Sequence, residues 1–319
     1  MQCRICGNNE NNSLYEATEM MLGLGDKHQY IECGACGCLQ IANVPENLPS
    51  YYPDEDYYSY DKIHLATGFK QFLITRRDLY AATGNGLVGK IMHQFMPHSK
   101  IHTLQKTDIT MDSRILDVGC GAGHLLHSLQ EAGFNNLLGV DPFNAEDIHY
   151  DNGLNIRKKS IHDIRRGDWD LIMFHHSFEH IFDQQQVLNK AASLLKPGGI
   201  CLIRVPTASS WAWKHYSVNW VQLDAPRHLF LHSLDSMKLL AEKVGLQMED
   251  VVYDSFAFQL WGSEQYVNGI ALNDETSYAL NPDKSAFSKQ DIAEFNRRSI
   301  ELNKENQGDQ AAFYLRKPV

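Results

Sequence analysis

Arg114-Ile-Leu-Asp117-Val-Gly119-Cys-Gly121-Ala-Gly123, followed by Leu137-Leu-Gly-Val140-Asp141, is the stretch that decides the fold. A short apolar run enters three glycines spaced two apart. An amphipathic segment from Leu125 to Ala132 follows, and a second apolar run ends in an acid. Glycine is needed where a strand turns sharply into a helix and a ligand must approach bare backbone. An acid closing the neighbouring strand is placed to accept hydrogen bonds from a ribose diol. Glycine triplets also occur for packing reasons, but here strand, helix and acid agree in order and spacing.

The same alternation continues outward. The pattern predicts strands over 114–118, 137–141, 155–161, 170–174, 200–205, 247–253 and 311–316, with helices over 123–132, 184–195 and 233–244. Lys196-Pro-Gly-Gly199 reads as a helix stop before a new strand. Continuous apolar strands alternating with helices predict an α/β fold with a parallel sheet covered on both faces. Ligands of such sheets sit beyond the carboxyl ends of the strands. Residues 256–308 read as an insertion, with a helix at 289–304 opened by the capping-box pattern Ser288-Lys-Gln-Asp291.

The amino-terminal part has a different chemistry. Cys3-Arg-Ile-Cys6-Gly and Cys33-Gly-Ala-Cys36-Gly offer four soft thiolates on matched turns, the donor set of tetrahedral zinc. We expect a structural Zn2+ ribbon over 1–48, with Cys38 a bystander; redox-active dithiols are the competing reading. Residues 49–110 read as an aromatic connector carrying Tyr51, Tyr52, Tyr57, Tyr58 and Tyr60, then a helical cover over 68–80 and 86–96. Leu87, Ile91 and Phe95 form one stripe of the second helix. Residues 111–319 make the main domain.

Composition limits the function. The 319-residue chain is 43% hydrophobic, enough for a real core, and carries a formal charge of −10. That acidity argues against an extended nucleic-acid footprint, which needs clustered Lys and Arg. The sequence contains no apolar run long enough to span a bilayer, and its first residues lack secretory character. Paired cysteines in this context suit a reduced, cytoplasmic protein better than a disulfide framework.

The Asp117 and Gly-x-Gly-x-Gly run resembles motif I of the class I S-adenosylmethionine-dependent methyltransferases. The run Asp168-Trp-Asp170-Leu-Ile-Met-Phe-His175-His176-Ser-Phe-Glu179-His180 looks like motif IV and its following Glu-His turn. Leu194-Leu-Lys-Pro-Gly-Gly199 resembles the motif V region. The likeness spans roughly 100–255, and a similar ribbon precedes some members that act on sugars and surface-polysaccharide precursors. It implies a seven-stranded Rossmann-like sheet, mostly parallel, whose last strand inserts antiparallel next to the fifth.

The resemblance also implies S-adenosyl-L-methionine as cofactor. Gly119, Gly121 and Gly123 would face its methionine part and ribose, Asp117 its amino group, and Asp141 both ribose hydroxyls. Pro142 and Phe143 would border the adenine. Ile161, His162 or Asp163 would hold the adenine edge, and His175 would face the methionine end.

Transfer of a methyl group to a hydroxyl requires alignment, exclusion of water and removal of a proton. Histidine needs little tuning for that last task, which makes His176, His180 and His228 the candidate bases. In His176-x-x-Glu179-His180 the last two residues can simply cap the turn after the fourth strand. Quinone-precursor O-methyltransferases look similar here and are thought to bind a divalent ion at Glu-x-x-Glu-His, but this chain has His at the first position. In the long loop from Pro206 to Ser233, Trp213 and Trp220 could stack on a substrate and Arg227 could grip an anionic group, or Arg227 could fix the loop to the sheet. The sequence therefore predicts a methyltransferase for a small polar acceptor, foremost a sugar or glycan precursor. Quinone-precursor, phenolic and natural-product O-methyltransferases are alternatives, as is a zinc-ribbon RNA-binding or RNA-modifying protein. Its partners are expected to be a small-molecule substrate, without nucleic acid or membrane insertion; a homodimer stays open.

Overall fold

The computed structural model describes residues 1–52 and 68–319. Tyr57, Tyr58 and Tyr60 of the expected aromatic connector lie outside the described residues. The chain begins with β1 (Ser13–Thr18), β2 (Lys27–Glu32) and β3 (Leu39–Ile41), and resumes with α1 (Gly68–Thr83), α2 (Leu87–Phe95) and α3 (Ser99–His102). Then come β4 (Ile115–Val118), α4 (His124–Glu131), β5 (Leu137–Val140), β6 (Ile148–His149), β7 (Asn155–Arg157) and β8 (Trp169–His175). The chain continues through α5 (Gln184–Leu194), β9 (Leu195–Pro206), α6 (Trp211–Tyr216), β10 (Phe230–Leu231), α7 (Leu234–Lys243) and β11 (Gln247–Tyr253). It ends with α8 (Phe258–Val267), α9 (Lys289–Lys304) and β12 (Gln310–Arg316).

The main sheet has the order β11-β12-β9-β8-β4-β5-β7-β6. β9, β8, β4, β5 and β7 run parallel, and β12 is antiparallel to both β9 and β11. There are eight strands where seven were expected, because the two residues of β6 fold back antiparallel on β7. β7 is also shorter than the predicted 155–161. At Ser160 a capping box with Asp163 turns the chain into a single 3-10 turn instead.

Alternation along the central strands explains the two-sided core. Leu116, Ile172, Phe174, Cys201, Ile203 and Phe313 pack on one face. Ile115, Leu171, Met173, Ile200, Leu202 and Tyr314 pack on the other. Successive strand side chains point to opposite faces, so a strand buried on both reads as an unbroken apolar run. In chain order the sheet grows one way from β4 through β5 and the other way through β8. The carboxyl ends of these three strands therefore border the crevice in which such sheets bind ligands.

The expected boundary at residue 48 does not separate two packing units. β1, β2 and β3 form a four-stranded sheet whose last member is β10, from the loop that follows β9. Cys3, Ile5, Tyr30 and Leu39 share one core with Phe230, Leu231 and Met237. The Ser233 hydroxyl donates to the Cys36 carbonyl, and the Tyr30 hydroxyl donates to the His228 carbonyl at 2.9 Å. The cysteine ribbon is thus built onto the loop that carries Arg227 and His228.

Candidate active site

β4 ends in the glycine loop. All three glycines are in the left-handed region, with φ of 71° at Gly119, 55° at Gly121 and 81° at Gly123, so other residues there would be strained. Two of them are also demanded by packing. A Cβ at Gly119 would lie 2.5 Å from the Ser177 Cβ, and one at Gly123 would lie 2.4 Å from Ile156 Cδ1. The sequence reading assigned these glycines to ligand approach; the fold adds protein neighbours as a second constraint.

Two buried carboxylates flank this loop. Asp141 follows β5; its Oδ2 accepts from the Gly121 N–H at 2.8 Å and its Oδ1 from the Phe143 N–H at 2.9 Å. Burial raises its pKa, and these backbone donors oppose the rise. Asp117 is 3% exposed, and among the described residues its buried Oδ1 has no hydrogen-bond partner. Burial first, and then the charge of Asp141, push it up to about 7. Asn144, which the sequence reading missed, donates to the Gly121 carbonyl at 2.9 Å while its own Oδ1 is orphaned. Orphaned buried acceptors normally find donors. A ligand with a ribose diol and an ammonium group supplies such donors, so the residues present fit S-adenosylmethionine.

The turn expected at the adenine edge is divided. Ile161 is buried in the core, whereas His162 and Asp163 are exposed; Asp163 Oδ2 accepts from the Ser160 N–H at 3.0 Å. Pro142 lies in the turn after β5, next to Phe143, which is 83% exposed. His175 ends β8 with both ring nitrogens buried and, among the described residues, without a hydrogen-bond partner. Its pKa lies well below the usual histidine value, through burial and then the Arg204 charge, so the ring is neutral. An open groove of about 1000 Å³ is lined by Arg114, Leu138, Lys158, His162, Asp163 and Trp169 among others, joining the starts of β4, β5 and β8 to the connection after β7. Its lining includes His162 and Asp163 but not the glycine loop, Asp117 or Asp141.

The three candidate bases converge on Glu179, which is 1% exposed. His176 has φ of 51°, and its Nε2 takes a hydrogen bond from Arg204 Nη1 at 2.7 Å. Arg204 is held by Asp254 at 2.7 Å. The Nε2 lone pair is therefore occupied, and Nδ1 faces Glu179 Oε1 at 3.4 Å. His176 is thus corrected from candidate base to positioning residue. His180 Nδ1 lies 2.9 Å from the Arg227 carbonyl and 3.1 Å from the Tyr52 hydroxyl. His228 Nδ1 lies 2.7 Å from the Gln222 carbonyl. A carbonyl only accepts, so both rings carry a proton on Nδ1 and turn Nε2 the other way. His228 Nε2 stands 3.9 Å from Glu179 Oε1 and 3.7 Å from Asp224 Oδ2.

Burial alone would raise the pKa of Glu179, but the imidazoles of His176, His180 and His228 outweigh it and bring it down to about 2. Among the described residues neither Glu179 oxygen has a hydrogen-bond partner. Glu179, His180 and His228 place one ligand atom each within 4.8 Å of the others, so the cluster can hold a cation, a proton included. Sequence reasoning noted Glu179 as a helix cap and missed its central place. Arg204 was equally legible as a lone charge in the apolar run Ile-Arg-Val, though its partners were not.

The substrate candidates in the loop after β9 have their polar groups committed within the protein. Trp220 is fully buried, and its indole N–H donates to Asp309 at 2.9 Å. Trp213 is 5% exposed, and its N–H donates to Glu32 at 3.2 Å. The Arg227 guanidinium is bound by Asp224, by Glu19 at 3.2 Å and by the Tyr51 carbonyl at 3.1 Å. Buried charges persist only when paired in this way. In this arrangement the two indoles anchor the loop, and Arg227 takes the second of its two expected roles by tying the loop to the amino-terminal segment.

The four ribbon thiols are brought together. Cys3 and Cys36 Sγ are 3.7 Å apart and Cys6 and Cys33 Sγ are 3.5 Å apart, and all four lie within 4.8 Å of one another. A tetrahedron with metal–sulfur bonds of about 2.3 Å has edges of about 3.8 Å. Cys38 points elsewhere, toward the Leu39 carbonyl. The Cys3 sulfur accepts from Gln40 Nε2 at 3.1 Å, and its pKa falls to about 4, chiefly through the Cys36 thiol.

A family profile described as a methyltransferase domain matches residues 90–251, just over half of the chain. The chain belongs to this methyltransferase domain family. It is 27% identical over 169 residues to a ubiquinone biosynthesis O-methyltransferase of Bradyrhizobium diazoefficiens, covering 45% of this chain and 63% of that protein. A ubiquinone biosynthesis O-methyltransferase of Vibrio parahaemolyticus is 29% identical over 119 residues, 34% of this chain and 51% of that one. The match thus spans between half and two thirds of the length of these relatives. Among solved structures, an S-adenosylmethionine-dependent methyltransferase from Mesorhizobium loti superposes with a TM-score of 0.43 at 14% identity, over 69% of this chain and 98% of that one. Mycolic acid cyclopropane synthase CmaA1 gives 0.45 at 17% identity, over 70% and 85%.

Proposed function

We propose that the protein is an S-adenosylmethionine-dependent O-methyltransferase acting on a hydroxyl of a quinone-precursor or phenolic acceptor. The observation that carries the activity is the pair of buried carboxylates at the glycine loop, one with an unsatisfied oxygen, beside a cluster of imidazole lone pairs at the end of β8. The named relatives favour the phenolic acceptor over the sugar precursor that the ribbon suggested. When bound, the cofactor supplies an electrophilic methyl group on a sulfonium.

The chain's own residues then do the rest. Asp141 and Asp117 accept the ribose hydroxyls and the ammonium. His175, neutral, offers a ring N–H at the methionine end. His228 Nε2 takes the proton of the acceptor hydroxyl, with Glu179 and Asp224 within 4 Å of the atom where that proton lands. Arg204 fixes His176, whose Nδ1 faces Glu179 at 3.4 Å from the other side. His180, whose pKa burial lowers against the opposing charge of Glu179, stands beside it.

The four-thiol cluster fits Zn2+, and we assign it a structural role. With every tetrahedral position filled by sulfur, the metal fixes the ribbon, and through β3 and β10 it fixes the loop bearing His228.

The test is calorimetry with S-adenosylmethionine and its homocysteine product, followed by labelled methyl transfer to catechol-type and sugar-nucleotide acceptors. Cofactor binding with transfer to the catechols supports the reading. Binding with transfer only to sugars keeps the methyltransferase and overturns the acceptor class. Absence of cofactor binding overturns both.

A further inference from the structure

α1 and α2 form a hairpin joined by Gly84-Asn85-Gly86 and drawn together at Gly89. A Cβ there would stand 2.1 Å from the Arg76 carbonyl oxygen, so only glycine permits this approach. With Gly89 turned toward α1, the apolar stripe of α2 faces outward. Leu87, Ile91 and Phe95 are 76%, 49% and 79% exposed. On α1, Phe69 and Phe72 stack with ring centroids 6.2 Å apart and are 75% and 46% exposed. Apolar stripes at this spacing normally face a core, and exposed clusters mark interaction surfaces.

The charge around this surface opposes that of the whole chain. Residues 68–100 contain Lys70, Arg76, Arg77, Lys90 and Lys100 against the single acid Asp78, in a chain of net charge −10. Asp78 is paired with Arg77 at 2.8 Å, and Lys70, Arg76 and Lys90 are exposed. The Arg76 guanidinium sits 5.1 Å over the Phe72 ring. Aromatic and aliphatic side chains flanked by cations match a surface that is apolar within and anionic at its head groups. A second copy would bring the same cations against these and repel.

We infer that the α1–α2 hairpin is a docking surface for an anionic lipid bilayer. The stripe of α2 and the stacked phenylalanines enter the interface, and Lys70, Arg76 and Lys90 meet the lipid phosphates. The acidic remainder of the chain is repelled, which orients the molecule. This is surface attachment: among the described residues no helix is long and apolar enough to cross a membrane. The hairpin leads into α3, whose Lys100 acts electrostatically on Asp117, so the docked face adjoins the candidate site.

The experiment is co-sedimentation of the full chain with phosphatidylglycerol or phosphatidylcholine vesicles at low and high salt. We compare wild type with Leu87→Asp/Phe95→Asp and with Lys70→Glu/Arg76→Glu/Lys90→Glu. Binding to the anionic vesicles is expected, weakened by salt and by roughly fivefold or more for each cation reversed. The aspartate pair should abolish it while thermal unfolding and cofactor affinity stay unchanged, since those side chains are exposed. Wild type that ignores anionic vesicles at low salt, or variants that bind like wild type, would overturn the inference. A wild-type dimer made monomeric by the aspartate pair, with no vesicle binding, would reassign the face to self-association and equally overturn it.

Discussion

Asp117→Asn separates the stability of the fold from its capacity to bind cofactor. The carboxyl is buried, has one orphaned oxygen and faces Asp141, which together raise its pKa from 3.8 to about 7. The native state therefore holds this proton more tightly than the unfolded chain does. Its contribution to stability is complete below about pH 4 and is lost as pH rises through about 7. At pH 8 the ligand-free protein carries a penalty on the order of 4 kcal/mol from this one group. Asparagine removes the charge but leaves an amide short of partners, so a net gain of about 2 kcal/mol at pH 8 is expected. That gain should vanish near pH 5 and become a loss of about 1–2 kcal/mol near pH 4, where only the cost of the unpartnered amide remains.

Cofactor affinity should move the other way. An ammonium ligand needs the ionised acid, so wild-type affinity should fall roughly tenfold between pH 8 and pH 6, with proton uptake or release visible as buffer-dependent calorimetric heat. The Asn variant should bind weakly, with no such slope. Denaturant titrations at pH 5 and pH 8 and calorimetry at pH 6 and pH 8 supply the four numbers required. A wild-type affinity flat with pH, or an Asn variant with the same slope, would show that Asp117 does not meet the ammonium.

Glu179→Gln should keep cofactor affinity within about twofold and reduce turnover by roughly 10²–10⁴, the range of general acid–base catalysis; equal turnover removes Glu179 from the mechanism. Arg227→Ala leaves the buried Glu19 and Asp224 unpaired, and equilibrium unfolding should show a loss of about 3–5 kcal/mol. A loss below 1 kcal/mol would return Arg227 to the substrate-contact reading. Cys3→Ser/Cys36→Ser should release about one equivalent of zinc by elemental analysis. Because β3 pairs with β10, it should also accelerate proteolysis near His228; protection equal to wild type would mean that the ribbon does not hold that loop.

The order of strands and helices was legible because the parallel core is buried on both faces. Apolar runs such as Leu171 to Phe174 admit one reading, and the glycines and Asp141 punctuate them. The cysteine spacing likewise announced a cluster of four thiols, since each pair is local. Short elements were misjudged: β6 has two residues, and at Ser160 a side-chain capping box displaced strand pairing.

Side-chain contacts depended on partners far away in the chain, which sequence reasoning could not see. Trp213, Trp220 and Arg227 looked like substrate contacts until Glu32, Asp309 and Glu19 were found to satisfy them. His176 looked like a base until Arg204 took its lone pair. The α2 stripe was legible, but whether it faced core or solvent was not, because periodicity defines a face without saying what covers it. What the sequence determined by itself is the chemistry repeated at short range: backbone geometry at glycine, thiol pairs on turns, and strands apolar throughout. What tertiary structure alone decided is which buried polar atoms remain unsatisfied. That depends on every neighbour a side chain meets, and most of those neighbours are distant in sequence.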